Sequence, residues 1–245
     1  MEVSKKVVFI KDWILNYVNS MPVKAQSLVI GISGGIDSSV TSTLCAMTGL
    51  KTIVLTMPIK QNNEQNNLSL LHKKWLDDKF KNIESHSLEL DNVFKNFENT
   101  LSDFKSEHGM SNSRARLRMT TLYQVAAANN GLVVGTGNKV EDFGVGFYTK
   151  YGDGGVDISP IADCTKTEVW DLGKELKISE KIINAKPTDG LWDDGRTDES
   201  QLGLTYKEVE EAMDNPNSPN YEKYNKIRKL NLHKMEPIPV CKIPK

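Results

Sequence analysis

Paired cysteines are missing from this sequence. Cys45, Cys164 and Cys241 stand alone, with no C-x-x-C between them. That excludes a disulfide framework and a structural zinc site, and it fits a reducing cytoplasm. The four histidines, His72, His86, His108 and His233, also lack metal-ligand spacing. Neither charge is in surplus: the formal net charge is -1 over 245 residues, so no global field recruits nucleic acid. No uninterrupted apolar stretch reaches about 18 residues. The start, M-E-V-S-K-K, runs into an amphipathic segment carrying Asp12, which reads as neither a secretory signal nor a membrane span. What is present is 38% hydrophobic and 26% charged residues. This is the make-up of a soluble globular protein, long enough for one large α/β domain or two small ones.

The most informative stretch is Ser27 to Ser39, S-L-V-I-G-I-S-G-G-I-D-S-S. Leu28, Val29, Ile30 and Ile32 form a short apolar run rich in β-branched residues, the mark of a buried strand. Ser33, Gly34 and Gly35 make a tight turn, and Asp37, Ser38 and Ser39 open a helix that runs to about Met47. Glycines let backbone N–H groups approach a phosphate, and the first helical turn leaves its own N–H groups unpaired. Asp37 would repel that phosphate unless a divalent cation stood between them, which points to Mg²⁺. A Walker loop is excluded, because the fifth position after Gly31 is Ile36 and no Lys follows. The stretch resembles instead the S-G-G-x-D-S pyrophosphate loop of ATP pyrophosphatases, which cleave ATP between its α- and β-phosphates.

The rest alternates between strands and helices. Val3, Val7, Ile10, Ile14 and Tyr17 are spaced for a helix over residues 3–20. Lys51 to Met57 reads as a strand ended by Pro58. Residues 60–67, K-Q-N-N-E-Q-N-N, read as a polar loop, with a mobile flap expected over 59–67. A helix is expected from Leu68 to Phe80, a strand from Ile83 to Leu90, a helix over 93–104 and a long helix from about Asn112 to Asn130. Leu132, Val133 and Val134 form the next buried strand. Residues 205–213 and 219–230 read as short helices. This order predicts one domain over residues 1–245, built on a doubly wound, mostly parallel sheet with helices on both faces.

Gly135-Thr136-Gly137-Asn138 follows the strand and, with Asp157 about 20 residues on, imitates a dinucleotide-binding fingerprint. Val140 stands where the third glycine belongs, however, and Glu141 would oppose a pyrophosphate. A carboxylate sharing Mg²⁺ with Asp37 would not. Thr165 and Glu168 make a capping box. Lys166 in that first helical turn opposes the helix dipole, which is better explained if it meets an anion. Lys186 to Gln201 is long, acidic and dense in turn residues, as in a mobile lid, with Leu191 and Trp192 as its apolar contact. His233 and Lys234 precede a proline stop.

Gly31–Ser38, Ser113–Met119, Gly135–Glu141, K-Y-G-D-G-G-V-D at Lys150–Asp157, Thr165–Lys166, Gly190–Gly203 and His233–Lys234 together resemble the NAD synthetase family. This family belongs to the PP-loop superfamily, with an adenine nucleotide alpha-hydrolase-like, Rossmann-like fold. The resemblance is to its short, ammonia-dependent form and covers nearly the whole chain. Two departures stand out: Arg196 replaces the usual Gln in G-R-T-D-E, and the loop after Pro58 keeps Gln61 but lacks an acidic pair. The resemblance implies a cytoplasmic homodimer that makes NAD⁺ from deamido-NAD, ATP and ammonia through an acyl-adenylate, releasing AMP and pyrophosphate. It implies that Gly31, Ile32, Ser33, Gly34, Gly35, Ile36, Asp37, Ser38, Thr136, Lys166 and Thr188 bind ATP, and that Asp37 and Glu141 hold Mg²⁺. Arg116, Lys150, Asp157, His233 and Lys234 would contact deamido-NAD; Arg116 and Lys150 supply charge-assisted donors to its anions. Asp37, Lys166 and Asp157 are the expected catalytic residues, with Asp157 or an acid of 189–199 taking the proton from ammonium. Without an amidase region in the chain, free ammonia is favoured over glutamine. The alternative is another ATP pyrophosphatase-type adenylating enzyme, GMP synthetase-like or tRNA-modifying, although neither a glutaminase, a catalytic cysteine pair nor a basic RNA-binding face is visible.

Overall fold

A computed structural model describes residues 1–61, 63–188 and 197–244. The sheet follows from three apolar runs. Strand β1 (Ser27–Gly31) lies at the centre, with β2 (Lys51–Thr56) on one side and β4 (Gly131–Val133) on the other; β3 (Ile83–Ser87) flanks β2. All pairings are parallel, and Val29 sits opposite both Ile53 and Val133. Side chains along a strand point alternately to its two faces. Leu28 and Ile30 therefore join one core while Val29 joins the other, all three with no solvent exposure. Burying each contributes about 1.5–3 kcal/mol.

Helices cover both faces. On the first lie α1 (Val3–Ser20), α2 (Ile36–Met47), α3 (Asn63–Lys79) and α6 (Lys166–Glu175); Val7, Ile10 and Ile14 of α1 meet Val40 and Leu44 of α2 and Val169 and Leu172 of α6. The second face carries α5 (Glu107–Ala128), with α4 (Asp91–Thr100) against it. A third apolar cluster joins a π-helical turn, Lys139–Val145, to α8 (Asp198–Leu202), α9 (Tyr206–Asp214) and α10 (Tyr221–Met235). Helix α7 (Glu180–Ile183) is a single turn that the sequence pattern did not mark.

Several boundaries differ from the expected ones. Helix α3 begins at Asn63, so residues 63–67 of the expected flap are helical; the Asn/Gln run there lacks an apolar period, yet Glu64 suits the positive end of the helix dipole. Helix α5 begins at Glu107 because Ser106 caps it, accepting from the Gly109 N–H at 3.2 Å. Strand β3 stops at Ser87, short of Leu90. Position 62 of the expected flap, and positions 189–196 of the expected 186–201 lid with Leu191, Trp192 and Arg196, lie outside the described residues.

The strand order β3-β2-β1-β4 has a functional consequence. The chain leaves β1 towards β2 through α2, whereas β4 is reached by crossing the other face through α5. Connections departing in opposite directions open a crevice at the carboxyl ends of β1 and β4. Gly31–Asp37 and Gly135–Asn138 stand at those two ends.

Behind this crevice, His72 of α3 is 1% exposed, with Nε2 3.0 Å from Ser42 Oγ of α2 and its ring stacked on Trp75. Burial pushes the imidazole from its ordinary 6.5 down to about 4, only partly offset by a hydrogen bond to the Ser39 backbone. Between those values the unfolded chain binds a proton that the folded chain refuses. Stability is thus full above pH 6.5 and declines as pH falls through this window, by at most about 3 kcal/mol. Urea unfolding at pH 7 and pH 4.5 should show a smaller decline for His72→Gln than for the unsubstituted chain; equal declines would absolve His72.

Candidate nucleotide and metal site

The turn after β1 is shaped by its own hydroxyls. The Ser33 N–H donates to Ser38 Oγ at 3.2 Å, and Ser38 and Ser39 Oγ donate to the Gly35 carbonyl at 3.0 and 2.9 Å. Gly34 has φ +91°, the left-handed region, and a Cβ there would lie 2.7 Å from Gln65 O and 2.8 Å from Ser69 N. The start of α3 therefore packs directly on the turn, and only glycine fits. Helix α2 opens on Gly35, which has no side chain to cap it. The first turn of α2 thus lacks a side-chain cap, the arrangement in which a helix start can receive an anion.

Asp37 in that first turn faces two residues from distant elements. Lys166 Nζ donates to Asp37 Oδ2 at 2.6 Å and to Glu141 Oε1 at 2.9 Å. Asn138 Nδ2 donates to Asp37 Oδ1 at 3.0 Å, while Asn138 Oδ1 accepts from the N–H groups of Val140 and Glu141, fixing the π-helical turn. Tyr206 donates from its hydroxyl to Glu141 Oε1 at 2.6 Å, and its ring lies under the Lys166 ammonium, 4.9 Å from the centroid. The capping box holds α6 in place: Thr165 N–H donates to Glu168 Oε2 at 2.9 Å, and Lys6 of α1 pairs with the other oxygen.

Charge balance in this cluster is set by burial and compensation. The Lys166 side chain is 2% exposed. Burial alone would lower its pKa; Asp37 first and then Glu141 outweigh that and hold the ammonium charged, above its ordinary value. Burial raises Asp37, against the pull of Lys166. For Glu141, burial is outweighed by Lys166 and the Tyr206 hydrogen bond, and its carboxyl sits below the usual range. Half-buried Asp142 lies so close to Gly137 that a Cβ there would stand 1.9 Å from its Oδ2. Burial, then Asp153, Glu141 and Asp37, push its carboxyl well above the usual range. The donor set suits Mg²⁺: hard carboxylate oxygens from two elements already converge on one cationic nitrogen, and Mg²⁺ is usually held by one or two carboxylates plus substrate phosphates.

The remaining expected residues divide into groups. Thr136 is half-buried in the loop after β4, and Thr188 is half-buried next to the undescribed positions. Arg116 Nε donates to the Lys150 carbonyl at 3.2 Å, bringing those two cations to one place, and the Lys150 ammonium lies over the Tyr151 ring. Lys234 Nζ donates to the Tyr148 carbonyl at 2.7 Å, and Tyr148 OH returns a bond to the Lys234 carbonyl at 2.8 Å. His233 is exposed. Asp157 Oδ1 accepts from Tyr123 OH at 2.9 Å and its Oδ2 from the Val133 N–H at 2.8 Å, tying α5 to β4.

Asn138 and Tyr206 are contributors that the sequence reading did not assign. Asn138 could have been found as a cap, since Asn after a strand-ending glycine turn favours that place. Tyr206 carried no such signal, because an aromatic in a short amphipathic helix reads as core.

Comparisons with known proteins bear on the family of the chain. The sequence profile of the NAD synthase family matches residues 6–241. The chain is 36% identical over 236 residues to the NH(3)-dependent NAD(+) synthetase of Finegoldia magna, covering 96% of this chain and 94% of that protein. It is 39% identical over 194 residues to the enzyme of that name from Carboxydothermus hydrogenoformans, with 77% of each chain covered. Among solved structures, the NMN synthetase of Francisella tularensis superposes with a TM-score of 0.91 at 30% identity, covering 99% of this chain and 100% of that one. The NH3-dependent NAD synthetase of Campylobacter jejuni gives 0.79 at 25% identity, with 99% and 100% covered.

Removing the central cation tests the electrostatic account. Lys166→Ala leaves Asp37 and Glu141 facing each other, and should lower stability by about 3 kcal/mol, the low end for a broken buried pair because both carboxylates keep some solvent. Unchanged urea unfolding in that variant would mean the ammonium is not their counter-ion.

Proposed function

From the premise that this chain belongs to the NAD synthase family, we propose that it amidates the nicotinate carboxylate of deamido-NAD with ammonia, coupled to cleavage of ATP to AMP and pyrophosphate. The observation that carries the reading is the Asp37–Lys166–Glu141 cluster at the sheet's switch point, beside an uncapped helix N-terminus. A carboxylate is a poor acyl donor because its oxygen does not leave. Attack of that oxygen on the ATP α-phosphorus forms the acyl-adenylate and breaks the bond to the β-phosphate, releasing pyrophosphate. Ammonia then forms the C–N bond, the acyl C–O bond breaks as AMP departs, and the nitrogen gives up one proton to solvent.

The residues divide this work. Ser33–Ser38 and the first N–H groups of α2 hold the leaving pyrophosphate. Lys166 moves its charge from the carboxylates to the phosphates as they enter, offsetting charge that develops there. Asp37 and Glu141 would hold Mg²⁺, which supplies further neutralisation of the phosphate oxygens when bound. Thr136 and Thr188 line the ATP side. Arg116 and Lys150 suit the anions of the dinucleotide, with His233 and Lys234 towards its far end. Asp157, with both oxygens accepting hydrogen bonds, suits orienting the dinucleotide over taking a proton. The enzyme works as a cytoplasmic homodimer in this reading. Among the described residues no helix is long and apolar enough to cross a membrane.

A second reading replaces the dinucleotide by nicotinic acid mononucleotide. It is favoured by the closer superposition on the Francisella NMN synthetase, 0.91 against 0.79. One assay separates the two. Purified protein is given ATP, Mg²⁺, ammonium and either acid, and AMP and amide are measured. Turnover of deamido-NAD with the higher kcat/KM is expected; preference for the mononucleotide installs the second reading. No AMP with either acid would end both, and equal rates with glutamine in place of ammonium would remove ammonia as the nitrogen source.

A further inference from the structure

Helix α9, in the third cluster, is an element to which neither the motifs nor the family resemblance assigned a role. We propose that Tyr206 is a positioning residue for the metal site, fixing the Glu141 carboxylate through its hydroxyl. The inference rests on the proposed reading of Glu141 as a Mg²⁺ ligand.

The geometry is specific. Tyr206 is 1% exposed, and its ring is held edge-on by Trp170, with centroids 5.8 Å apart. The ring therefore has little freedom, and the hydroxyl has a fixed place. A phenol has one proton to donate. Glu141 Oε1 at 2.6 Å is the near acceptor, and Asp198 Oδ2 at 3.2 Å the more distant one. The same Oε1 also receives the Lys166 ammonium at 2.9 Å. The Tyr206 hydroxyl thus fixes the Glu141 carboxylate in one orientation, and it keeps doing so when the Lys166 ammonium turns to the phosphates. A phenylalanine would fill the same apolar space without a buried hydroxyl that has to be satisfied. The hydroxyl is thus explained by what it does to Glu141.

The helix bearing Tyr206 also touches the other half of the site. Glu210, one turn further along α9, accepts from the Thr167 N–H at 2.9 Å and from Thr167 Oγ1 at 2.7 Å. Thr167 directly follows Lys166. One face of α9 consequently sets both the carboxylate on the π-helical turn and the start of the helix that carries the ammonium. Groups that orient metal ligands in this way typically change metal affinity or activity by about 10–100-fold when removed.

The test is Tyr206→Phe, which keeps the ring and its packing. Tyr224→Phe is the control, since it removes a hydroxyl from the same apolar cluster, beside Arg228. Three quantities are measured: the Mg²⁺ concentration for half-maximal rate, the KM for the nicotinate substrate, and Mn²⁺ affinity by electron paramagnetic resonance with a non-hydrolysable ATP analogue. Tyr206→Phe should raise the Mg²⁺ requirement and weaken Mn²⁺ binding by about tenfold or more, leaving the nicotinate KM in place. Tyr224→Phe should do neither. Unaltered Mn²⁺ affinity in Tyr206→Phe overturns the proposal, as does an equal loss in both variants. If instead the unsubstituted enzyme turns over without a divalent cation, the reading of Glu141 falls first.

Discussion

Everything at the ligand end of the molecule depends on one ammonium group held between two carboxylates. Lys166 enters from α6, Asp37 from α2 and Glu141 from the π-helical turn, so a single buried charge joins three elements far apart in sequence. Opposite charges at this depth attract strongly, but each has lost water, and the net gain depends on the remaining hydrogen bonds. Asn138 and Tyr206 supply those bonds. The arrangement is stable without being final. The cluster stands beside the start of α2, which carries no side-chain cap, so a buried cation and a set of uncapped helical N–H groups lie close together.

The frame that brings these groups together was largely legible in the residues. The run L-V-I-G-I required a buried strand, and the glycines after it a turn; both are local signals that no distant contact reverses. Thr165 and Glu168 announced the start of α6 for the same reason, since a capping box is decided within four residues. Alternation of strands and helices then left little choice but a parallel sheet, and the switch point between β1 and β4 follows from strand order.

What stayed hidden is tertiary. The beginning of α3 has no apolar period to betray it, and its backbone packs on the turn at Gly34, a contact that only the folded chain makes. The sequence suggested that Lys166 meets an anion, but not that the anions are Asp37 and Glu141, residues placed beside it only by the folded sheet. Tyr206 looked like core and is core, yet its last atom belongs to the site, 65 positions from its partner. Asp157 shows the converse. Its motif was recognisable, while its hydrogen bonds to Tyr123 and Val133 could be known only once α5 and β4 were in place.

The tight seat of Gly34 against α3 has a consequence for how this region tolerates change. The atoms that crowd the glycine are the Gln65 carbonyl, the Ser69 nitrogen and the Leu68 Cβ, largely backbone. What the loop requires of α3 is therefore its path and rotational phase more than its outer side chains. Point substitutions that keep the helix preserve the fit. A single inserted or deleted residue ahead of Ser69 turns the helix by about 100° and brings a different surface onto the loop. Length, rather than composition, is what the packing at Gly34 constrains in this polar stretch.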